Sequence, residues 1–527
     1  MRDQRAGGKT GGGEGRILWK RVLVLFSPRR AYCPSRGALL PDILLATINA
    51  KWIHPSLALR LLRANLGRLE GGSEIAEFAL RQPQKDIIAK IAAARPRVLG
   101  ISVSIWNHAA TLALLRELDA IWEGSGGRPA VVLGGPEVSR LPEGAPLLAR
   151  CDWLVRGEGE HAFRELCVAL LEGRGPAESG TIARLKRVET LQEGRPSSYT
   201  IVEAAPVDPE TIDPGYRLYT GEDLERKLTY VEASRGCPFG CEFCLSSLDR
   251  RVRLFPLPAL LAGLEELLSR GARSFKFLDR TFNLDVGRAG TIMRFFLERP
   301  RPGLFVHFEI VPSRFPPALR ELAALFPPGA LRLEAGIQTL DPVVAGTIGR
   351  TSDPELELET LAFLSRRAGA TVHADLIVGL PGEDLEGFGR GFERVLAAGP
   401  AEIQVGILKR LPGAPIARHD EAFSMRYAEE PPYEVLSTST MGGAELARLA
   451  NFARFWELIA NRNNFPLFVE RFLAGGPAGS FDRFLELSDG LLARFGRNWG
   501  IDRGALRAAL EEMSGSPASG SRPPSRS

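Results

Sequence analysis

The chain has 527 residues, 44% of them hydrophobic and 25% charged, too many for one ordinary domain and apolar enough to build several cores. Its net charge is only +4, although the first forty residues hold nine Lys and Arg against two acidic residues, so the remainder is slightly acidic and lacks the broad basic footprint of a nucleic-acid binder. No uninterrupted apolar run reaches the ~18 residues of a membrane-spanning helix, and the run Val22 to Phe26 is too short for a secretory signal, so a cytoplasmic protein without membrane association is expected.

In chain order, residues 1–40, with seven glycines and the basic excess, read as a disordered tail. Over 41–173 short apolar runs alternate with helical patterns: DILLATIN, RVLGISVS, AVVLGGP and CDWLVRG, with helices after Pro55 and Asn107. This predicts an α/β domain, a parallel sheet covered by helices of the flavodoxin-like or Rossmann-like kind. Ligands of such sheets lie beyond the carboxyl ends of the strands, which places Asn49, Ser102, Ser104, Gly134 and Gly135 near any site. Residues 174–227, rich in Gly, Pro and charge, read as a linker carrying a small hairpin. A second alternation follows over 228–425, with strands at 228–234, 273–279, 304–311, 331–338, 371–379 and 402–409. Six β/α repeats predict a partial (β/α)6 barrel, whose active groups lie on the loops after the strands. Residues 426–513 read as a helical appendage, Leu446, Leu449, Ala450, Ala453, Trp456 and Ile459 forming one apolar face, and 514–527 as a low-complexity tail.

Six cysteines are present, and three of them, Cys237, Cys241 and Cys244, form a CxxxCxxC loop directly after the first strand of the second region. A 4Fe-4S cluster held only structurally has four thiolates, one per iron. Three thiolates leave one iron open to chelate the amino and carboxylate groups of another molecule. Gly236, Pro238 and Gly240 supply the tight backbone for this, and Phe243 is placed to shield the cluster from water. Zinc is the alternative occupant; it would require a fourth ligand, from Cys151, Cys167 or a histidine. Glu309, Glu334, Gln338 and Asp375 are polar groups on otherwise apolar strands, so each is either hydrogen-bonded within the barrel or contacts ligand; for Gln338 and Asp375, near strand ends, ligand contact is expected about as strongly as structure.

The loop C-P-F-G-C-E-F-C, the stretch GIQTLDP (336–342) and the stretch DLIVGLPGE (375–383) resemble the radical S-adenosylmethionine (SAM) superfamily, and the preceding open sheet resembles its cobalamin-binding branch. The resemblance implies that SAM lies across the strand ends with its methionine on the open iron, near Phe243, Gln338, Asp375 and Gly379. It also implies that Leu278, Asp279, Arg280 and Thr281 meet the methionine amino group. This chain has Asp-Arg-Thr where the usual pattern is Gly-Gly-Glu, so backbone carbonyls together with Asp279 would do that work. Cobalamin is implied in the front domain, its tail running past Asn49, Ser102, Ser104, Gly134 and Gly135. No histidine stands in an Asp-x-His-x-x-Gly motif, so the cobalt would lack a histidine from it; a front domain that is scaffold alone is the alternative. The implied activity is methylation of an unreactive carbon on a small molecule, fed by a flavodoxin- or ferredoxin-type electron donor. Radical rearrangement or cyclisation, and a non-catalytic iron-sulfur or cobalamin sensor, are the alternatives.

Overall fold

A computed structural model describes residues 40–513 except 126 and 462. The tails expected at 1–40 and 514–527, with Cys33, lie essentially outside the described residues.

The front sheet has seven strands: β1 (Ile43–Asn49), β2 (Ser73–Ala79), β3 (Val98–Ser102), β4 (Ala130–Gly134), β5 (Trp153–Arg156), β6 (Ile182–Gln192) and β7 (Arg195–Ala204), in the order β2-β1-β3-β4-β5-β7-β6. All neighbours are parallel except β6 and β7. The seven residues of β1 are all buried, as a strand covered by helices on both faces requires. Ser56 caps the first helix, its hydroxyl accepting from the Leu59 N–H.

The expected linker 174–227 needs correcting. Its hairpin supplies β6 and β7, full members of the front sheet, because the alternation across β6 buries Ile182 and Val188 while charged residues face out. Downstream, Val207, Tyr216, Tyr219 and Leu224 are buried in the core of the second region. Asn65 donates to the Asp213 carbonyl and accepts from its N–H, and Arg60 bridges Glu77 and Asp223. This stretch packs against the first helix of the front sheet.

The second sheet holds six parallel strands: β8 (Thr229–Val231), β11 (Ser274–Phe277), β12 (Phe305–Ile310), β13 (Leu331–Gln338), β14 (Thr371–Val378) and β15 (Glu402–Ile407), ordered β15-β14-β13-β12-β11-β8. Between β8 and β11 lies the short antiparallel pair β9 (Ser234–Arg235) and β10 (Arg253–Leu254). Helix Leu257–Ser269 buries Leu260, Leu264, Leu267 and Leu268 at helical spacing. β15 is an edge strand, and Asn461 covers part of it: its amide nitrogen donates to the Ile403 carbonyl and its oxygen accepts from the Ile403 N–H.

The C-terminal region opens with a two-stranded hairpin, Arg426–Tyr427 and Val435–Ser437, before its helices. Helix Gly443–Trp456 buries Leu446, Leu449, Phe452, Phe455 and Trp456. Phe392, Phe452, Trp456, Phe481 and Phe484 meet through ring contacts of 4.9–6.0 Å, in a core continuous with that of the barrel.

Candidate active site

The cysteine loop leaves the barrel through β9 and returns through β10. Gly236 at its start has φ +88°, and a Cβ there would lie 2.0 Å from the Arg251 carbonyl oxygen, so only glycine fits. Inside the loop Cys244 N–H donates to the Cys241 carbonyl and Cys237 N–H to that of Asp249. Glu242, between the second and third cysteines, is buried; its N–H donates to Ile348, its carbonyl accepts from Ile416 N–H, and its carboxylate meets His419 at 2.6 Å as well as Arg418. The segment beyond the last barrel strand thus clamps the loop.

All three loop thiols are free and half-buried, whereas Cys151 and Cys167 are buried and burial holds their thiols far above the usual range. Burial also pushes the Cys241 thiol up; the Arg350 guanidinium against it acts the other way, and Cys244 and Cys237 add to the rise. The Thr281 hydroxyl lies 3.8 Å from the Cys237 sulfur. A zinc ion needs its ligands to converge on one point, and among the described residues no three His, Cys, Asp or Glu side chains do so. An iron-sulfur cluster offers a separate iron to each thiolate, and Cys237 and Cys244 lie near enough to Cys241 to act on its thiol.

Beneath the loop, Asp279 is 2% exposed. Its carboxylate accepts from the Ala233 N–H at 2.9 Å and the Ser234 hydroxyl at 2.5 Å, and Arg288 donates to the carbonyls of Ala233 and Phe255. Burial raises its pKa, partly offset by these hydrogen bonds. Both oxygens tie the end of β11 to the root of the cysteine loop. Arg280 beside it is mostly exposed, 3.7 Å from Glu309.

Facing the loop, Gln338 closes a bulge in β13 with φ +68°, a conformation costly for a side-chain-bearing residue and concentrated at functional sites. Asp375 pairs with Gly336 across β13 and β14; its Oδ1 is buried without a partner. Burial, then Glu334 and Glu309, push its carboxyl well above the usual range, against Lys276. Glu334 goes the other way: burial would raise it, but the hydrogen bond with His307 and the charge of Lys276 hold it at about 2. It sits 2.9 Å from His307 and 3.1 Å from Lys276, a structural role. Arg350, which no motif signals, donates to the Gly336 carbonyl and pairs with buried Glu357, joining Cys241 to the Gln338 bulge.

Between the front sheet and the barrel lies a cleft of about 790 Å3. One wall is the carboxyl ends of the front strands, with Ser102, Gly134, Gly135 and Gly157; the other is Glu232, Ser234, Arg235 and Gly236 at the root of the cysteine loop. The ends of one sheet thus open onto the metal-type loop of the other.

Comparison with known proteins matches these two parts. Residues 43–167 match the B12 binding domain family, and residues 231–394 match the radical SAM superfamily. The chain carries a B12-binding domain followed by a radical SAM domain. It is 30% identical over 264 residues to an uncharacterized methyltransferase of Pyrococcus horikoshii, covering 49% of this chain and 55% of that one. It is 27% identical over 363 residues to the 2-(S-pantetheinyl)-carbapenam-3-carboxylate methyltransferase of Streptantibioticus cattleyicolor, covering 64% and 51%. The chain spans about half the length of these curated relatives. Its fold resembles that of OxsB, a cobalamin-dependent SAM radical enzyme, with a TM-score of 0.60 at 15% identity over 90% of this chain and 76% of that one. It also resembles the radical SAM methyltransferase TsrM of Kitasatospora setae, with a TM-score of 0.53 at 20% identity over 74% and 79%.

Three further residues expected near a ligand have partners within the fold. Asn49 is buried and donates to Glu77, and buried Ser104 caps a short helical turn with Asn107; neither lines the cleft. Gly379 has φ +84°, and a Cβ there would meet Val435 at 2.6 Å, so the glycine makes room for the C-terminal hairpin. No histidine lines the cleft. All six have partners elsewhere: His54 with Tyr230, His108 with Glu137, His161 with Thr211, His307 with Glu334, His373 with Glu402 and His419 with Glu242.

Glu383, in the turn after β14, is 3% exposed. Burial raises its pKa to about 8 in spite of the Thr339 hydroxyl bonded to it. A carboxyl raised in the folded state contributes stability that is present below its unfolded value of ~4.3 and lost as pH rises toward the folded value. Glu383→Gln is therefore expected to melt above wild type at pH 8 and near it at pH 5; equal melting differences at both pH values in thermal scans would contradict the assignment.

Proposed function

We propose that the chain is an enzyme that cleaves SAM reductively and, with cobalamin in the cleft, methylates an unreactive carbon of a small molecule. The single observation that carries this reading is the cleft, which places the carboxyl ends of the front strands against Ser234–Gly236, where the three-cysteine loop begins. When bound, a cluster on this loop would supply reducing electrons for SAM, and cobalamin in the cleft would supply methyl-transfer chemistry. Cys237, Cys241 and Cys244 hold three irons, and Thr281 and Arg350 order the thiols at Cys237 and Cys241. Phe243 shields the loop from water. Gln338 and Asp375 bind SAM, the unpartnered Asp375 Oδ1 taking a hydrogen bond from it; Arg280, exposed at the cleft, lies at the edge of the same space. Ser102, Gly134 and Gly135 admit the cobalamin tail.

A small-molecule substrate is supported by the relatives, since TsrM was solved with tryptophan and the Streptantibioticus enzyme is named for a carbapenam. Among the described residues no helix is long and apolar enough to cross a membrane. A cytoplasmic setting, with a flavodoxin- or ferredoxin-type donor, suits a loop of three free thiols.

Reduced, reconstituted protein incubated with SAM is expected to form 5'-deoxyadenosine, detected by chromatography; none from protein with a full cluster would favour a sensor. Hydroxocobalamin is expected to stay with the protein through gel filtration, with a spectrum lacking a histidine-bound signature. Failure to bind by protein with an intact cluster would make the front domain a scaffold.

A further inference from the structure

The root of the cysteine loop carries charges that the chemistry above does not use. Arg235 and Arg253 are register partners in the β9/β10 pair, at the points where the loop leaves and rejoins the barrel. Their carboxylate partners come largely from the front domain. Arg235 Nη2 lies 2.7 Å from Glu160 and 3.0 Å from Glu232, and Nη1 lies 3.7 Å from Glu158. Arg253 grips both oxygens of Glu158, at 2.5 and 2.8 Å, and donates to the Val207 carbonyl.

Glu158 and Glu160 belong to the start of helix Gly159–Leu171, Glu158 at its N-cap, where the helix dipole favours negative charge. The side chains of Arg235 and Glu160 are only 9% and 6% exposed. Buried ion pairs add little net stability, but losing one partner strands the other charge away from water. Two-pronged arginine contacts also fix orientation as well as distance, which interchangeable apolar contacts do not.

We infer that Arg235 and Arg253 are positioning residues that lock the cysteine loop to the front-domain helix, so that a ligand in the cleft and a cluster on the loop share one fixed frame. The consequence for the two cofactors rests on the function proposed above; the lock itself does not. A front-domain carboxylate, outside the barrel altogether, therefore governs the order of the cysteine loop.

Hydrogen exchange measured by mass spectrometry on the full chain, carrying neither cluster nor corrin, tests this. Glu160→Gln preserves shape and removes charge. Exchange across residues 236–252 is expected to quicken at least about tenfold while β12, β13 and β14 keep wild-type protection. Unchanged loop exchange overturns the inference, and so does an equal rise through the whole barrel. Glu70→Gln is the matched control: it breaks the two-pronged Arg217 contact at 2.6 and 2.7 Å, and an equal effect on residues 236–252 would also overturn the inference. Should Glu160→Gln not fold, Glu160→Asp keeps the charge, withdraws it by one methylene and is read in the same way. If wild-type protein loads no iron on its cysteines, the proposed function falls, while the exchange result still decides the lock.

Discussion

Replacing any one of Cys237, Cys241 and Cys244 by Ala is expected to reduce iron from about four per reconstituted chain to less than about one. With three thiolates for four irons, losing one leaves two irons without a protein ligand, and neither Cys151 nor Cys167 can substitute because both are buried. The Cys151 sulfur is engaged with the Leu148 carbonyl at 3.3 Å. Cys151→Ala and Cys167→Ala should therefore keep full iron content. Iron and sulfide assays on anaerobically reconstituted protein decide the matter. Zinc restoring a folded, four-coordinate site in place of iron would overturn the cluster assignment.

Asp279→Ala is expected to lower both the melting temperature and the iron content. The substitution strands the Ala233 N–H and Ser234 hydroxyl that now meet the carboxylate, and each buried group left without a partner costs about 1–3 kcal/mol. Ser234 opens β9, three residues before Cys237, so the loss falls where the loop departs from the barrel. The methionine-contact role implied by family position makes a different prediction: normal iron with SAM affinity reduced roughly tenfold or more. Iron analysis combined with calorimetric titration of SAM separates them. A variant with wild-type melting and iron but weak SAM binding would restore the contact role.

Asp279 also shows where motif position stops being informative. Asp279 is the acidic residue after the second barrel strand, two positions before the place of the family's glutamate, which is Thr281 here; whether its carboxylate faces ligand or backbone depends on the path of the chain at Ala233 and Ser234, forty-odd residues earlier. Arg350 had no signal in the sequence; its neighbours Cys241 and Gly336 are distant along the chain, and only the barrel's curvature joins them. Glu242 did leave a trace, a lone charge inside the cysteine loop, but its partner His419 is 177 positions away. Composition misread 174–227 because polar, turn-forming residues also describe the exposed face of an edge hairpin.

The sequence by itself determined the two α/β regions, the barrel strands and the three-cysteine loop, since these rest on local periodicity, turn residues and cysteine spacing, all of which act over a few residues. Tertiary structure alone decided which of the flagged polar groups face the site. It left the Asp375 Oδ1 unpartnered, gave Asp279, Asn49 and Ser104 hydrogen-bond partners within the fold, and joined Glu158 and Glu160 to Arg235 and Arg253. The physical reason is that a buried charge or hydrogen-bonding group must find a partner wherever the fold supplies one, and that choice is made by chain segments far apart in sequence.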